Sequence, residues 1–314
     1  MAITTPQQPT ETDMRALVGE IPSRHAAVGL AAGVVRDGRL DFFHGHGFAD
    51  LATRTPITED TVFRVASITK TFTAIAVMQL RERGLVDLDA PANDYLKAYT
   101  LTAGDPRFPP ATVRHLLTHT AGLPEVAQPW GMFMPDFGES VKSGRPLPSL
   151  AEYYGGSLGI GAPPGSRFVY GNHGPATLGQ IVEDVTGTPL AAYFRDHIFT
   201  PLGMEDSDLL PVDRIGPRLA TGYEIRSRGV KEIAPRDMVT AGAASVSSTP
   251  RDMARYLAAL LGGGRNDHGT VLGPDSVAMM FAPHHQPDPR IPGLGLAFFR
   301  FDLDGHLAVG HQGT

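Results

Sequence analysis

The sequence predicts an α+β fold: an antiparallel sheet built from both ends of the chain, flanked by helices, with a mostly helical domain inserted between. Three observations predict it. A hairpin signal, Arg36-Asp37-Gly38-Arg39, lies near the start of the chain. A second, Asp302-Leu303-Asp304-Gly305, lies near residue 314. Between them, from about 85 to 205, short helical patterns alternate with Pro/Gly-rich loops.

Residues 1–10 are polar and Pro-rich and read as a loose tail. Residues 11–25 read as an amphipathic helix with Met14, Leu17, Val18 and Ile21 on one face. Strands are expected at 27–36 and 39–48, with a short one at 61–65 leading into a helix over 71–83 that Gly84 ends. Helical pieces follow at 94–98, 112–118, 176–186 and 189–198. Residues 123–149 are loop-like and hold Trp130, the sole tryptophan, with Phe133, Met134 and Phe137 nearby. Such a segment serves as a lid or cleft wall, or is a plain surface loop. Strands return at 219–225 and 241–247. Thr249-Pro250-Arg251-Asp252 then reads as N-cap, N1 and an N3 acid completing a capping box. That helix runs to Leu261 and stops at Gly262-Gly263-Gly264. The second hairpin pairs 294–301 with 307–310. These textures divide the chain into a discontinuous sheet domain, 1–84 with 206–314, and a helical domain, 85–205.

Composition narrows the function. The 314 residues are 42% hydrophobic and 19% charged, ordinary for a soluble globular protein. A formal net charge of -6 with no basic block argues against a nucleic-acid partner. There are no cysteines, so disulfides, thiolate metal sites and cysteine nucleophiles are excluded together. The first residues carry no basic n-region or apolar h-region, and no apolar run is long enough to cross a bilayer. The expected location is the cytoplasm, with no membrane partner.

Three short motifs carry chemistry. Ser67-Ile68-Thr69-Lys70 places a hydroxyl and an amine one helical turn apart on one face. A serine hydroxyl needs a base at hand, and burial lowers a lysine's pKa far enough for it to serve. The alternative is an N-cap serine followed by a surface lysine. Tyr170-Gly171-Asn172 adds a phenol, whose pKa a neighbouring ammonium would lower, and an amide able to bond both the lysine and a substrate carbonyl. Alone, the tripeptide reads better as a turn tyrosine and a turn asparagine. His311-Gln312-Gly313-Thr314 ends the second hairpin. A glycine there admits a substrate closely, and the N–H after it, that of Thr314, can pair with the Ser67 N–H as an oxyanion hole. The alternative is a simple strand-end histidine. Metal sites are weaker readings: His44-Gly45-His46 and His284-His285 lack accompanying acids, and His115 and His119 lack the glutamate of a helical zinc motif. His115 is expected to pack its helix and His119 to organise the Thr120-Ala121-Gly122 turn.

In this order the motifs resemble the serine β-lactamase-like, penicillin-binding-protein-like superfamily, class C-type, and within it the esterase and D-aminopeptidase branch. The context is similar too: Phe63-Arg64-Val65-Ala66 before Ser67, Leu88-Asp89-Ala90-Pro91, Thr118-His119-Thr120-Ala121-Gly122-Leu123-Pro124 and Pro201-Leu202-Gly203-Met204. The resemblance covers about residues 15–314. It implies that Ser67 is acylated, that Lys70 is its base, and that Tyr170 relays protons to the leaving group and activates the deacylating water. Asn172 would position Lys70 and the substrate, and His311 would stand where relatives carry a lysine. No cofactor or metal is implied. The implied substrate is a small ester, amide or β-lactam.

The sequence departs from the family pattern in two places. His311-Gln312-Gly313 replaces Lys-Thr-Gly, and a histidine, mostly neutral at pH 7, anchors a carboxylate weakly. That shifts the expectation toward a carboxylesterase, with a D-aminopeptidase, DD-peptidase or weak β-lactamase as alternative and an inactive ligand-binding module as a third reading. Family members also continue beyond the position of Thr314 with a strand and a C-terminal helix. The expectation is a longer polypeptide, or a piece supplied by another chain.

Overall fold

The computed structural model describes residues 10–210, 214–227 and 229–314. The tail at 1–9 and the side chain of Trp130 lie outside the described parts. Helix α1 (Glu11–Arg24) opens on a full capping box between Thr10 and Asp13. It packs on the following hairpin, with Met14 and Val18 half-buried, but Leu17 and Ile21 face solvent. Strands β1 (Gly29–Arg36) and β2 (Arg39–Asp50) pair antiparallel, with Arg36 opposite Arg39. Asp37 and Gly38 both take positive φ, the conformation a two-residue primed turn requires. Strand β3 (Thr55–Pro56) adds a third, short member to that ladder.

Strand β4 (Phe63–Arg64) is shorter than the expected 61–65 and leads into a tight 3₁₀ turn, Ala66–Ile68, that carries Ser67. Ala66 holds φ at 45°, a conformation costly for a residue with a Cβ. Helix α2 (Thr69–Glu82) then runs through the molecular centre, buried at eleven positions from Thr69 to Leu80. A helix buried on every face must satisfy its polar side chains internally. Thr73 Oγ1 donates to Gly242 O, Tyr256 OH donates to Thr71 Oγ1, and Thr69 Oγ1 accepts from Val246 N.

The stretch after α2 holds short strands as well as helices. Residues 92–94 form a 3₁₀ turn where a helix over 94–98 was expected. Strand β5 (Thr100–Ala103) and, later, β7 (Ser157–Ile160) pair in parallel. Between them come α3 (Val113–Leu117), β6 (Ser140–Lys142) and α4 (Leu150–Tyr154). Helices α5 (His173–Thr186) and α6 (Leu190–Phe194) complete this part. Two 3₁₀ segments, Pro129–Phe133 and Pro135–Gly138, occupy the loop-like stretch.

Strands β8 (Tyr223–Arg226) and β9 (Gly229–Glu232) form a hairpin, and β10 (Arg236–Met238) pairs with β6. The strand expected over 241–247 is instead helix α7 (Ala241–Ala244), followed by a two-residue strand β11 (Ser247–Ser248) on β4. Ala-Gly-Ala-Ala offers no branched or aromatic side chain for a pleated surface, and alanine favours helix. Gly242 lets the backbones of α5 and α7 meet: a Cβ there would sit 3.2 Å from Pro175 O and 3.4 Å from Gly179 Cα. Helix α8 (Pro250–Leu261) starts at Thr249 as expected, but the capping box is half made. Thr249 accepts from Asp252 N, while the Asp252 carboxylate turns to Asp206 N and Ser207 Oγ.

Helix α9 (Pro274–Phe281) precedes the last hairpin, β12 (Phe299–Leu303) with β13 (His306–Gly310). The expected strand start at 294 is a compact buried turn instead: Gly295 N bonds Phe298 O and Ala297 N bonds Leu117 O. Asp304 and Gly305 make the tight turn with positive φ. The architecture is α+β, with strands from both ends of the chain. Among the described residues these strands form six small sheets, and β1–β2–β3 is not hydrogen-bonded to β12–β13. No described helix is long and apolar enough to cross a membrane.

The packing centre lies on α2, where Phe72 meets Tyr256 (ring centroids 4.3 Å), Phe199 (5.5 Å) and Phe194 (6.5 Å). Phe72→Ala is expected to lower stability by about 3–5 kcal/mol in urea unfolding. A loss below about 1 kcal/mol would show that α2 is not the packing centre.

Candidate active site

Because Ser67 sits in the 3₁₀ turn and Lys70 one residue into α2, the two side chains share a face as the spacing predicts. Lys70 Nζ lies 2.8 Å from Ser67 Oγ. The lysine is 1% exposed. Two further oxygens complete its surroundings: Asn172 Oδ1 at 2.8 Å and the Ala243 carbonyl at 3.2 Å. Burial drives its pKa down to about 7, against a partial upward pull from Glu139. At pH 7 about half the amine is then free base, against about one part in 2,500 for an ordinary lysine. A hydroxyl held 2.8 Å from such an amine can give up its proton as it attacks.

Asn172 can serve Lys70 because its amide is not spent on capping α5, whose N-cap it is. Its Nδ2 donates to Glu139 Oε2 at 2.9 Å. Tyr170 places its ring 4.9 Å from Lys70 Nζ. The expected lowering of this phenol's pKa does not occur. Burial pushes it up, and only the Ser67 hydroxyl pulls it back. A lysine that is half neutral has little charge to offer, so desolvation wins.

His311 follows β13 and packs between aromatic rings, 5.2 Å from Phe299 and 6.0 Å from Tyr170. Its Nδ1 donates to Gln312 O at 2.6 Å, and Nε2 is buried without a protein partner. Burial lowers its pKa to about 4, so the ring is neutral at pH 7 and Nε2 is a bare acceptor. Gly313 presses its backbone onto the turn that carries Ser67: a Cβ there would sit 2.3 Å from Val65 O. Thr314 follows it, exposed.

Ser67, Lys70, Tyr170, Asn172 and His311, from three separated stretches, therefore converge. The other histidines are otherwise engaged. His119, buried at φ 55°, stacks against Tyr170 at 4.8 Å, and its carbonyl accepts from Val169 N. His115 Nδ1 accepts from Thr112 N as half of a capping box. His284 accepts from Arg114, and His285 stacks on Phe168. His44 and His46 lie on β2 opposite Ala32 and Leu30. Among the described residues no group of three His, Asp or Glu side chains could hold a metal. Sequence reasoning missed Glu139, Thr240 and the Ala243 carbonyl. Glu139 lies in an aperiodic stretch with no motif, and nothing local marks it.

The whole of 14–314 matches the family described as Beta-lactamase. The chain belongs to the beta-lactamase family. Within this serine-hydrolase family, Esterase EstB of Burkholderia gladioli is 35% identical over 57% of this chain and 46% of its own length. A D-aminopeptidase of Brucella anthropi is 32% identical over 67% of this chain and 38% of its own. The chain thus spans half or less of the length of these two relatives. The fold matches D-amino acid amidase from Ochrobactrum anthropi SV3, solved with L-phenylalanine amide, with a TM-score of 0.73 at 25% identity, over 96% of this chain and 83% of that one. The β-lactamase-like α+β fold expected from the motifs is thereby established.

With four lysines in the chain, ¹³Cε-lysine NMR gives a simple spectrum. One resonance, absent in Lys70→Met, is expected to titrate near pH 7. Titration of all four lysines near pH 10 would contradict a buried, desolvated Lys70 amine.

Proposed function

We propose that the protein is a serine hydrolase that forms an acyl-enzyme on small, uncharged esters or amides, most simply a carboxylesterase. One observation carries the reading: a fully buried amine, pulled down to about 7, held 2.8 Å from the Ser67 hydroxyl.

Ser67 Oγ attacks the substrate carbonyl carbon while its proton passes to the Lys70 lone pair. The backbone N–H groups of Ser67 and Thr314 hold the resulting oxyanion, each such donor contributing about 3 kcal/mol to the barrier. Tyr170, protonated at neutral pH because burial raises its pKa, hands a proton to the departing oxygen or nitrogen. It is refilled by the Lys70 ammonium through the Ser67 side of the site. The C–O or C–N bond breaks and the acyl group stays on Ser67. Water then attacks the acyl carbon as its proton passes through Tyr170 to Lys70; the acyl–Oγ bond breaks, Lys70 returns the proton to Ser67 Oγ, and the acid leaves. Asn172 orients Lys70 and bonds the substrate.

His311 sets the preference. A neutral ring with a bare acceptor nitrogen offers no cation to a carboxylate. Carboxylate-bearing β-lactams and DD-peptides therefore lose their anchor, while neutral esters lose nothing. Similarity to a D-aminopeptidase and a D-amino acid amidase supports a second reading, hydrolysis of small amides.

Intact-mass labelling with a fluorophosphonate tests the reading. One adduct is expected on the native protein and none on Ser67→Ala, and Lys70→Ala is expected to slow labelling by roughly 10²–10⁴-fold. p-Nitrophenyl acetate should turn over faster than nitrocefin. No adduct, or a mild loss in Lys70→Ala, would refute the assignment and favour an inactive ligand-binding module.

A further inference from the structure

We infer that Glu139 is a positioning residue that fixes the Asn172 amide, aims the free Lys70 amine at Ser67 and sets the amine's working protonation state. The inference rests on the serine-hydrolase reading above.

The carboxylate is 2% exposed. Oε2 accepts from Asn172 Nδ2 and Thr240 Oγ1, both at 2.9 Å, and Oε1 lies 3.6 Å from His173 Nε2. The backbone on either side is held as well: Glu139 N donates to Asp136 O, and Glu139 O accepts from Val239 N. This carboxylate is therefore part of a built site.

The consequence reaches Lys70 through Asn172. A neutral amine has two N–H groups and one lone pair, whereas an ammonium has three donors and none. Two partners of Nζ can only accept: the Ala243 carbonyl and, in its present orientation, Asn172 Oδ1. Both N–H groups are spent on them, so the lone pair must face the third partner, Ser67 Oγ. That holds only while Asn172 shows oxygen to the lysine. An amide is nearly symmetric in shape, and only its partners decide which end is which. Glu139, an acceptor on the far side, compels Nδ2 to point its way. Removing that acceptor removes the reason for the amide not to flip, and a flipped amide would set N–H against N–H at Lys70.

Glu139 also acts by charge. It pulls the Lys70 pKa up against burial, and Lys70 in turn pulls that of Glu139 down against burial. The histidines and tyrosines facing the pair are quiet over pH 5–8. His119 lies at about 3, and His173 and His311 at about 4, all lowered first by burial. Tyr153, Tyr154 and Tyr170 are all raised by burial. Asp136 is paired with Arg236 at 2.9 Å. An acidic limb in this range therefore reports Lys70 coupled to Glu139.

Glu139→Gln keeps the size and an oxygen for Asn172 and Thr240 and removes the charge. Loss of the negative neighbour leaves the ammonium less stabilised, so the Lys70 pKa falls. The acidic limb of kcat/KM for p-nitrophenyl acetate is expected to move to lower pH, on the order of one unit, with KM little changed. The Lys70 ¹³Cε titration moves with it, and this readout is independent of turnover. Glu139→Ala is expected to lower kcat at least tenfold, and Glu139→Ala/Asn172→Ala to be no worse than Asn172→Ala alone. An acidic limb and an NMR titration both unmoved in Glu139→Gln would overturn the inference, as would additive losses in the double variant. Absence of any Ser67 adduct in the native protein would instead overturn the hydrolase reading, while the NMR shift would still decide the role of Glu139.

Discussion

The structure turns on one contact, the 2.8 Å approach of the buried Lys70 amine to the Ser67 hydroxyl. A lysine costs several kcal/mol to bury as an ion, and it lowers that cost by shedding its proton near neutral pH. The same desolvation that makes the position expensive makes the amine a base. Everything around it either keeps water out or gives its N–H groups somewhere to go.

The elements that do this come from distant parts of the chain. Helix α2 supplies both residues because it is central and buried along most of its length. Helix α7 brings the Ala243 carbonyl against Lys70, and it approaches closely because Gly242 and Gly179 carry no side chain where it meets α5. Helix α5 supplies Asn172 at its first turn, with the side chain left free of capping. The segment before β6 supplies Glu139, tied down by the β6–β10 pairing and by Thr240. The strained Ala66 and the tight seat of Gly313 on Val65 concentrate backbone constraint where the nucleophile sits.

Much of this was legible in the sequence, for physical reasons. A serine and a lysine three apart at the start of a helical run share a face, and Asp37-Gly38 and Asp304-Gly305 favour positive φ and so announce their hairpins. The start of α8 follows from Thr249. What was not legible depended on tertiary contact. The Ala241–Ala244 stretch is short and small enough for helix or strand, and only packing on α2 and α5 decides. Residues 294–298 look like a strand by hydrophobicity, yet α3 and α9 backbones capture their N–H groups. The direction of the Tyr170 shift needed the burial of the site, and Glu139 needed the fold itself, since its partners stand 33 and 101 residues away.

The central claim is that Ser67 is acylated with neutral Lys70 as its base. Stopped-flow measurement of the pre-steady-state burst with p-nitrophenyl acetate isolates that step. The burst rate constant is predicted to rise as pH increases through about 7 and then level off, following the loss of the Lys70 proton. A burst rate that is flat from pH 5 to 9, or that climbs without a plateau toward pH 10, would contradict it.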